Sequence, residues 1–245
     1  MADPAILRPI GLRDARVFDL TPNETTAILL SLRVSFWAVA ASLPFGIALA
    51  YVLSRKRFPG RAVVEALTYL PLTLPPVVTG WALLILFGRK GPIGAFLEEY
   101  FGIVFAFRWT GAALACAVMG FPLMVRAIRL SFDAVDARLE QAAGTLGANP
   151  AWVFLTVTLP LVLPGVLAGV ILSFARAMGE FGATITFVSN IPGETQTLPT
   201  AIYTLTQVPG GDAAVFRLVG VAVIISLGAL IVSEWLARRL GRRVE

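Results

Sequence analysis

The sequence predicts an all-α integral membrane protein with about five transmembrane helices. Composition is the first reason: 57% of the residues are hydrophobic, 14% are charged, and mean hydropathy is +0.81. Soluble domains carry about a quarter of their residues as Asp, Glu, Lys and Arg, and charge inside lipid is costly, so a chain this poor in charge is solvated largely by acyl chains. The second reason is a series of uncharged runs, at residues 34–53, 66–88, 109–125, 160–175 and 218–233. At 1.5 Å per residue the longer ones can cross a hydrocarbon core of about 30 Å. The third is that basic residues gather at the ends of these runs, as membrane anchors do.

The same composition excludes several function classes. The net charge of +5 comes from basic residues that are all arginine except Lys56 and Lys90, with no basic stripe interleaved with aromatics, so nucleic acid is not an expected partner. Histidine is absent and Cys116, the single cysteine, lies inside an apolar run. The usual zinc ligand sets and histidine general bases are therefore unavailable, and Cys116 is expected to be a small packing residue. Neither lysine follows the glycine spacing of a phosphate-cradling loop, so the chain is not expected to hydrolyse ATP itself.

Taken in order, residues 1–33 form a charged segment suited to an interface, with Arg8, Arg13 and Arg16 beside Asp3, Asp14 and Asp19. Val34–Leu53 is the first span; Arg33 interrupts any signal-peptide core, so the run is expected to be retained. A basic turn, Ser54 to Arg61, leads to the second span, Ala66–Gly88. Its prolines Pro71, Pro75 and Pro76 free carbonyls that protein or water must satisfy, which suits a kinked packing helix or a helix beside a pathway. Residues 89–108 read as an extramembrane loop with an interfacial turn, or as a re-entrant segment. Trp109–Val125 is the third span, anchored by Arg126 and Arg129.

Residues 136–160 then form a loop of two short elements. Asp136 can cap a helix whose apolar residues Leu139, Ala142, Ala143 and Leu146 share one face, opposite Arg138, Glu140 and Gln141. Gly147 is placed to end it, and Asn149-Pro150 reads as a new helix start. Periodicity alone also fits an amphipathic helix lying on the membrane surface.

The fourth span begins at Pro160 and runs to at least Ala175, followed by Arg176 and Glu180 four residues apart. At that spacing they face each other, either as a structural pair or as groups beside a water-filled path. Residues 182–211 are expected to hold one short apolar helix, around 198–208. Leu218–Ser233 is the last span, closed by Arg238, Arg239, Arg242 and Arg243. An odd span count with an arginine-rich tail predicts a cytoplasmic C-terminus, which places the 136–160 loop on the cytoplasmic side as well. The transmembrane domain is thus drawn over 34–239, with a tail at 240–245.

Two resemblances give these elements a role. Gln141-Ala142-Ala143, then Gly147, then Leu159-Pro160 resemble the EAA loop by which permease subunits of bacterial binding-protein-dependent ABC importers contact their ATPase. Gln141 stands where that pattern has glutamate, with Glu140 just before it. The resemblance implies a type I importer permease in which Glu140, Gln141, Ala142, Ala143 and Gly147 couple to the ATPase.

The second resemblance is to molybdate ABC-transporter permeases. It is carried by Ala175-Arg176-Ala177-Met178-Gly179-Glu180-Phe181-Gly182-Ala183-Thr184 and by Asn190-Ile191-Pro192-Gly193-Glu194-Thr195, and it extends from about residue 34 to 239. Sulfate and thiosulfate permeases share the first of these segments, so sulfate, thiosulfate or tungstate is the alternative cargo. The resemblance implies a bacterial inner-membrane subunit that pairs with a second copy of itself, with two ATP-Mg-binding ATPase subunits and with a periplasmic oxyanion-binding protein. No cofactor or metal is implied for this chain. Arg176, Glu180 and Thr184 are the candidate pathway residues, the ion pair on its spacing. A secondary anion transporter would need a coupling-ion site and a membrane-embedded enzyme a reactive set; neither is visible in the spans.

Overall fold

A computed structural model describes residues 20–241, and they fold as helices joined by short turns. The elements are α1 (Pro22–Arg55), α2 (Arg61–Thr73), α3 (Pro76–Phe87), α4 (Pro92–Phe101), α5 (Trp109–Ala134), α6 (Ala137–Thr145), α7 (Pro150–Val153), a π-helical turn (Phe154–Thr158), α8 (Leu159–Met178), α9 (Gly182–Val188), α10 (Leu198–Thr206) and α11 (Asp212–Gly241). The expected interfacial segment lies outside the described residues as far as residue 19, and the expected tail beyond Gly241.

Among the described residues four stretches are long and apolar enough to cross a membrane: Pro22–Arg55, Trp109–Ala134, Pro150–Met178 and Asp212–Ala229. The first begins at Pro22, well before the uncharged run at Val34. Thr21 and Glu24 form a capping box there, in which each side chain bonds the other's backbone amide. Residues 22–33, expected at an interface, are thus the first turns of α1. Arg33 is accommodated because its guanidinium stacks 3.8 Å over the Trp109 ring, which offsets part of the cost of a charge in an apolar helix.

The expected second span is broken. α2 and α3 together are apolar enough to span but meet at 115°. The cause is the Pro75-Pro76 pair: a residue preceding proline is pushed out of the α region, and both Leu74 (ψ 143) and Pro75 (ψ 135) precede one. Residues 89–108, expected as a loop, contain helix α4, and residues 182–211 hold α9 in addition to the expected short helix.

The core runs along α1, α5 and α8, with α11 packed on α8 and α10. Near α6, an apolar cluster unites Ala50 and Leu53 of α1, Met124, Ile128 and Phe132 of α5, and Val162 and Val166 of α8. At the far end a second cluster joins Leu30 and Val34 to Ala112, Cys116, Ala183 and Phe187. Cys116 is buried there with its thiol 3.6 Å from the Ala177 carbonyl, a packing position. Glycines allow the far-end helices to approach. A Cβ on Gly80 of α3 would stand 2.5 Å from the Ala183 carbonyl, and one on Gly182 would stand 2.8 Å from the Pro76 ring.

Candidate coupling surface and intramembrane ion pair

The loop after α5 is built by its caps. The Asp136 carboxylate accepts the Arg138 amide at 2.9 Å and starts α6. Gly147 ends it in the left-handed region at φ +87, its amide bonding the Gly144 carbonyl and that of Ala148 the Ala143 carbonyl, a Schellman closure. Asn149 then caps α7 by accepting the Trp152 amide at 2.8 Å.

The next turn is π-helical. Pro160 has no amide hydrogen to continue the α ladder, and the Leu159 amide reaches back five residues to the Phe154 carbonyl. The wide turn directs Thr158, which is 1% exposed, into the protein.

Within α6 the leucine stripe and the polar residues Arg138 and Gln141 are both exposed, and Glu140 is the charged residue that turns inward. Leu139 is exposed, and Leu146, next to Gly147, is 88% exposed. Trp152 and Leu155 extend this apolar surface along the following turns, while Gln141 and Ala142 are also exposed and Ala143 is half-buried. Glu140 turns towards the bundle. Its Oε1 accepts Arg55 Nη2 at 3.1 Å and the Thr158 hydroxyl at 3.1 Å. The expected set therefore divides: Gln141 and Ala142 face outward with the leucines, Gly147 shapes the turn, and Glu140 faces inward. Periodicity locates a stripe but not what faces it; the partner of Glu140 lies at residue 55, at the end of α1.

At the far end of α8 the structure brings Arg176 and Glu180 together. Arg176 Nη1 lies 2.6 Å from Glu180 Oε2; the glutamate side chain is 1% exposed and the arginine 27%. The other carboxylate oxygen accepts the Ala183 amide at 2.7 Å, so Glu180 also holds the first turn of α9. Thr184 is fully buried, and its hydroxyl donates to the Phe181 carbonyl at 2.9 Å, supporting this turn from behind.

The Asn190–Thr195 segment is tied to α10, which is in turn tied to α1. The Asn190 side-chain amide donates to the Thr204 hydroxyl, the Thr195 hydroxyl accepts the Ile191 amide, and Ser31 of α1 accepts the Leu198 amide at 2.6 Å. Sequence reading missed a further far-end contact, the pair between Arg217 of α11 and Glu24 of α1 at 2.7 Å. It joins positions far apart in the chain, so no local spacing could reveal it.

Comparison with known proteins gives a consistent result. The family described as binding-protein-dependent transport system inner membrane component matches residues 42–245. The molybdenum transport system permease protein ModB of Escherichia coli (strain K12) is 58% identical over 219 residues, covering 89% of this chain and 96% of the relative. The protein of the same name from Haemophilus influenzae is 53% identical over 221 residues, covering 90% and 96%. Among solved structures, a bacterial ABC transporter involved in the import of the acidic polysaccharide alginate superimposes with a TM-score of 0.71 at 18% identity, covering 90% of this chain and 80% of that one. At that identity the last match speaks to the fold, which is that of an ABC importer permease.

Proposed function

The chain belongs to the family of inner membrane components of binding-protein-dependent transport systems, and from that premise we propose that it is the permease subunit of an ATP-driven importer that carries molybdate into the bacterial cell. One observation carries the cargo: the identity of 58%, spread over 96% of a molybdenum transport permease. The geometry supports the subunit's place in the machine. The α6 helix and its C-cap present Leu139 and Leu146, with Trp152 beyond, on a surface that nothing among the described residues covers. An apolar surface on a capped helix suits insertion into a groove of a partner, here the ATPase subunit that hydrolyses ATP-Mg.

In this reading two copies of the subunit form one pathway, with the α6 loops and the C-terminus on the cytoplasmic side and an oxyanion-binding protein docked on the other. ATP-driven closure draws the two α6 helices together and rocks the bundles between inward-open and outward-open states. Arg176 and Glu180 lie beside the dianion's route, and Thr184 supports the turn that holds them. Arginine offers transient attraction to a tetrahedral dianion, and the carboxylate keeps that attraction from becoming a trap. Tungstate and sulfate have the same charge and shape class, so selection among them falls mainly to the binding protein.

The test is the subunit reconstituted in vesicles with the ATPase and binding protein that co-purify with it. Molybdate is expected to stimulate ATP hydrolysis and to be taken up only with ATP, with a maleimide reaching a cysteine placed at Ala148 from the cytoplasmic face alone. Sulfate stimulating as strongly as molybdate would reassign the cargo. Uptake persisting without ATP would favour a secondary transporter.

A further inference from the structure

Glu140 sits on the helix assigned to ATPase docking, yet every contact it makes points away from that surface. Arg55, the last residue of α1, donates through Nη2 both to Glu140 and to the Val135 carbonyl at 3.1 Å, in the turn between α5 and α6. Thr158 of the π-helical turn donates to the same carboxylate oxygen. The Arg55 and Glu140 side chains are 15% and 20% exposed, so the pair is mostly shielded from water. Four elements thus meet at one carboxylate–guanidinium contact.

Directly beneath it, Tyr51 of α1, Phe132 of α5 and Phe154 of the π-helical turn form a closed ring cluster. Their centroid distances are 5.6, 5.4 and 6.4 Å. The residue before Arg55 extends the connection sideways: the Ser54 hydroxyl bonds Asp133, Asp133 meets Arg129 at 3.7 Å, and Arg129 meets Glu65 of α2 at 3.0 Å. Among the described residues Glu140 is the α6 side chain that bonds outside its own element; Thr145, for comparison, bonds back to the Ala142 carbonyl.

We propose that the Arg55–Glu140 pair is the joint through which displacement of the docked α6 helix reaches α1, with Glu140 a positioning residue that does not itself touch the ATPase. The inference rests on α6 being the docking helix. A nine-residue helix tethered by two turns would pivot under load if only its backbone held it. A shielded ion pair resists that pivoting, because separating the charges leaves each of them unpaired in a poorly solvated place. Stiffness at this contact makes α1, α5 and the start of α8 move with α6 as one body.

The test uses the complete complex in vesicles and reads two quantities, ATPase retention and oxyanion moved per ATP hydrolysed. Arg55→Glu and Glu140→Arg alone are expected to keep the ATPase bound and to lower the transport-to-hydrolysis ratio about tenfold, and the exchanged double variant to recover to within about threefold, the coupling signature of a direct pair. An unchanged ratio in the single variants overturns the proposal. So does loss of the ATPase that the exchange fails to restore, since Glu140 would then be reading the ATPase.

Should the charge variants fail to accumulate, Arg55→Cys with Glu140→Cys, joined by a flexible bis-maleimide cross-linker, supplies the second arm. A joint that moves as one body keeps transporting when cross-linked, and a cross-link that stops transport overturns the proposal. Leu146→Asp separates the two readings. If it leaves ATPase retention intact, α6 docking is wrong; if it releases the ATPase while the exchange gives no rescue, the joint alone is wrong.

Discussion

Two arginine–glutamate pairs lie towards opposite ends of α8, at similar range, 2.6 Å for Arg176–Glu180 and 3.1 Å for Arg55–Glu140, and they do different work. The first is a helical neighbour pair, four residues apart, whose glutamate also holds the start of the next helix. The second closes a gap of 85 residues and joins the end of α1 to α6. The first shapes a turn and shows a guanidinium at its edge; the second bridges separate elements, as the proposed joint requires. Proximity alone is therefore a poor guide to role in this molecule. What each pair connects decides it.

The largest expected effect breaks the far-end pair. Arg176→Gln leaves a carboxylate that is 1% exposed without its cation, and removing one partner of such a pair costs about 3–5 kcal/mol. Lower accumulation in the membrane and near-complete loss of uptake should follow. Glu180→Gln keeps an acceptor for the Ala183 amide, so it should insert normally, retain anion longer and turn over more slowly. The double glutamine variant discriminates. Full uptake would make the pair structural only, whereas impaired uptake in an inserted, ATPase-bound protein supports its place beside the route.

The next effect belongs to the loop end. Leu146→Asp puts a charge where docking would desolvate it, and a loss of about 1–3 kcal/mol, or a tenfold or larger fall in ATPase retention, is expected. Gly147→Val acts through the backbone. Nothing stands within 4 Å of a Cβ there, so space is no obstacle, but φ +87 is a conformation that a β-branched residue adopts at a cost of about 1–2 kcal/mol. The helix end should unwind, with ATPase co-purification and oxyanion uptake falling together. Unchanged values of both would remove the α6 loop from coupling.

The two ends also differed in how far the sequence revealed them. Caps, the Gly147 stop, the Arg176–Glu180 pair and the apolar runs all depend on residues a few positions apart, and each was legible from spacing. The break at Pro75-Pro76 was legible as strain in a span but not as a bend of 115°, because a proline pair says where a helix stops and not where the chain goes next. The start of α1 at Pro22 was hidden by Arg33, whose charge looked like the edge of a span until Trp109 of another helix was found beneath it. The inward turn of Glu140 was not legible at all. On a helix with exposed leucines the usual rule sends charge to water, and here a remote arginine, Arg55, reverses it.

The smallest effect compares two threonines that a sequence cannot distinguish. Thr158 and Thr184 are both buried, both near a glutamate, and both donate their hydroxyl. Thr184 spends its hydrogen bond within its own turn, on the Phe181 carbonyl. Thr158 spends it on Glu140, across 18 residues, at the joint. Valine matches threonine in shape, so each substitution removes about one hydrogen bond, worth about 1 kcal/mol, and little else. Thr184→Val deprives a backbone carbonyl of a supplementary donor and should leave uptake within about twofold of the parent. Thr158→Val strips one of the donors from a shielded carboxylate, so Glu140 should hold α6 less firmly and the oxyanion moved per ATP should fall about threefold with the ATPase still bound. Equal, negligible effects would mean that the Arg55–Glu140 contact does not depend on its neighbours. A larger loss of uptake from Thr184→Val than from Thr158→Val would move the sensitive point of transport to the far end, and with it the claim that the two pairs divide the work between shaping the route and carrying the stroke.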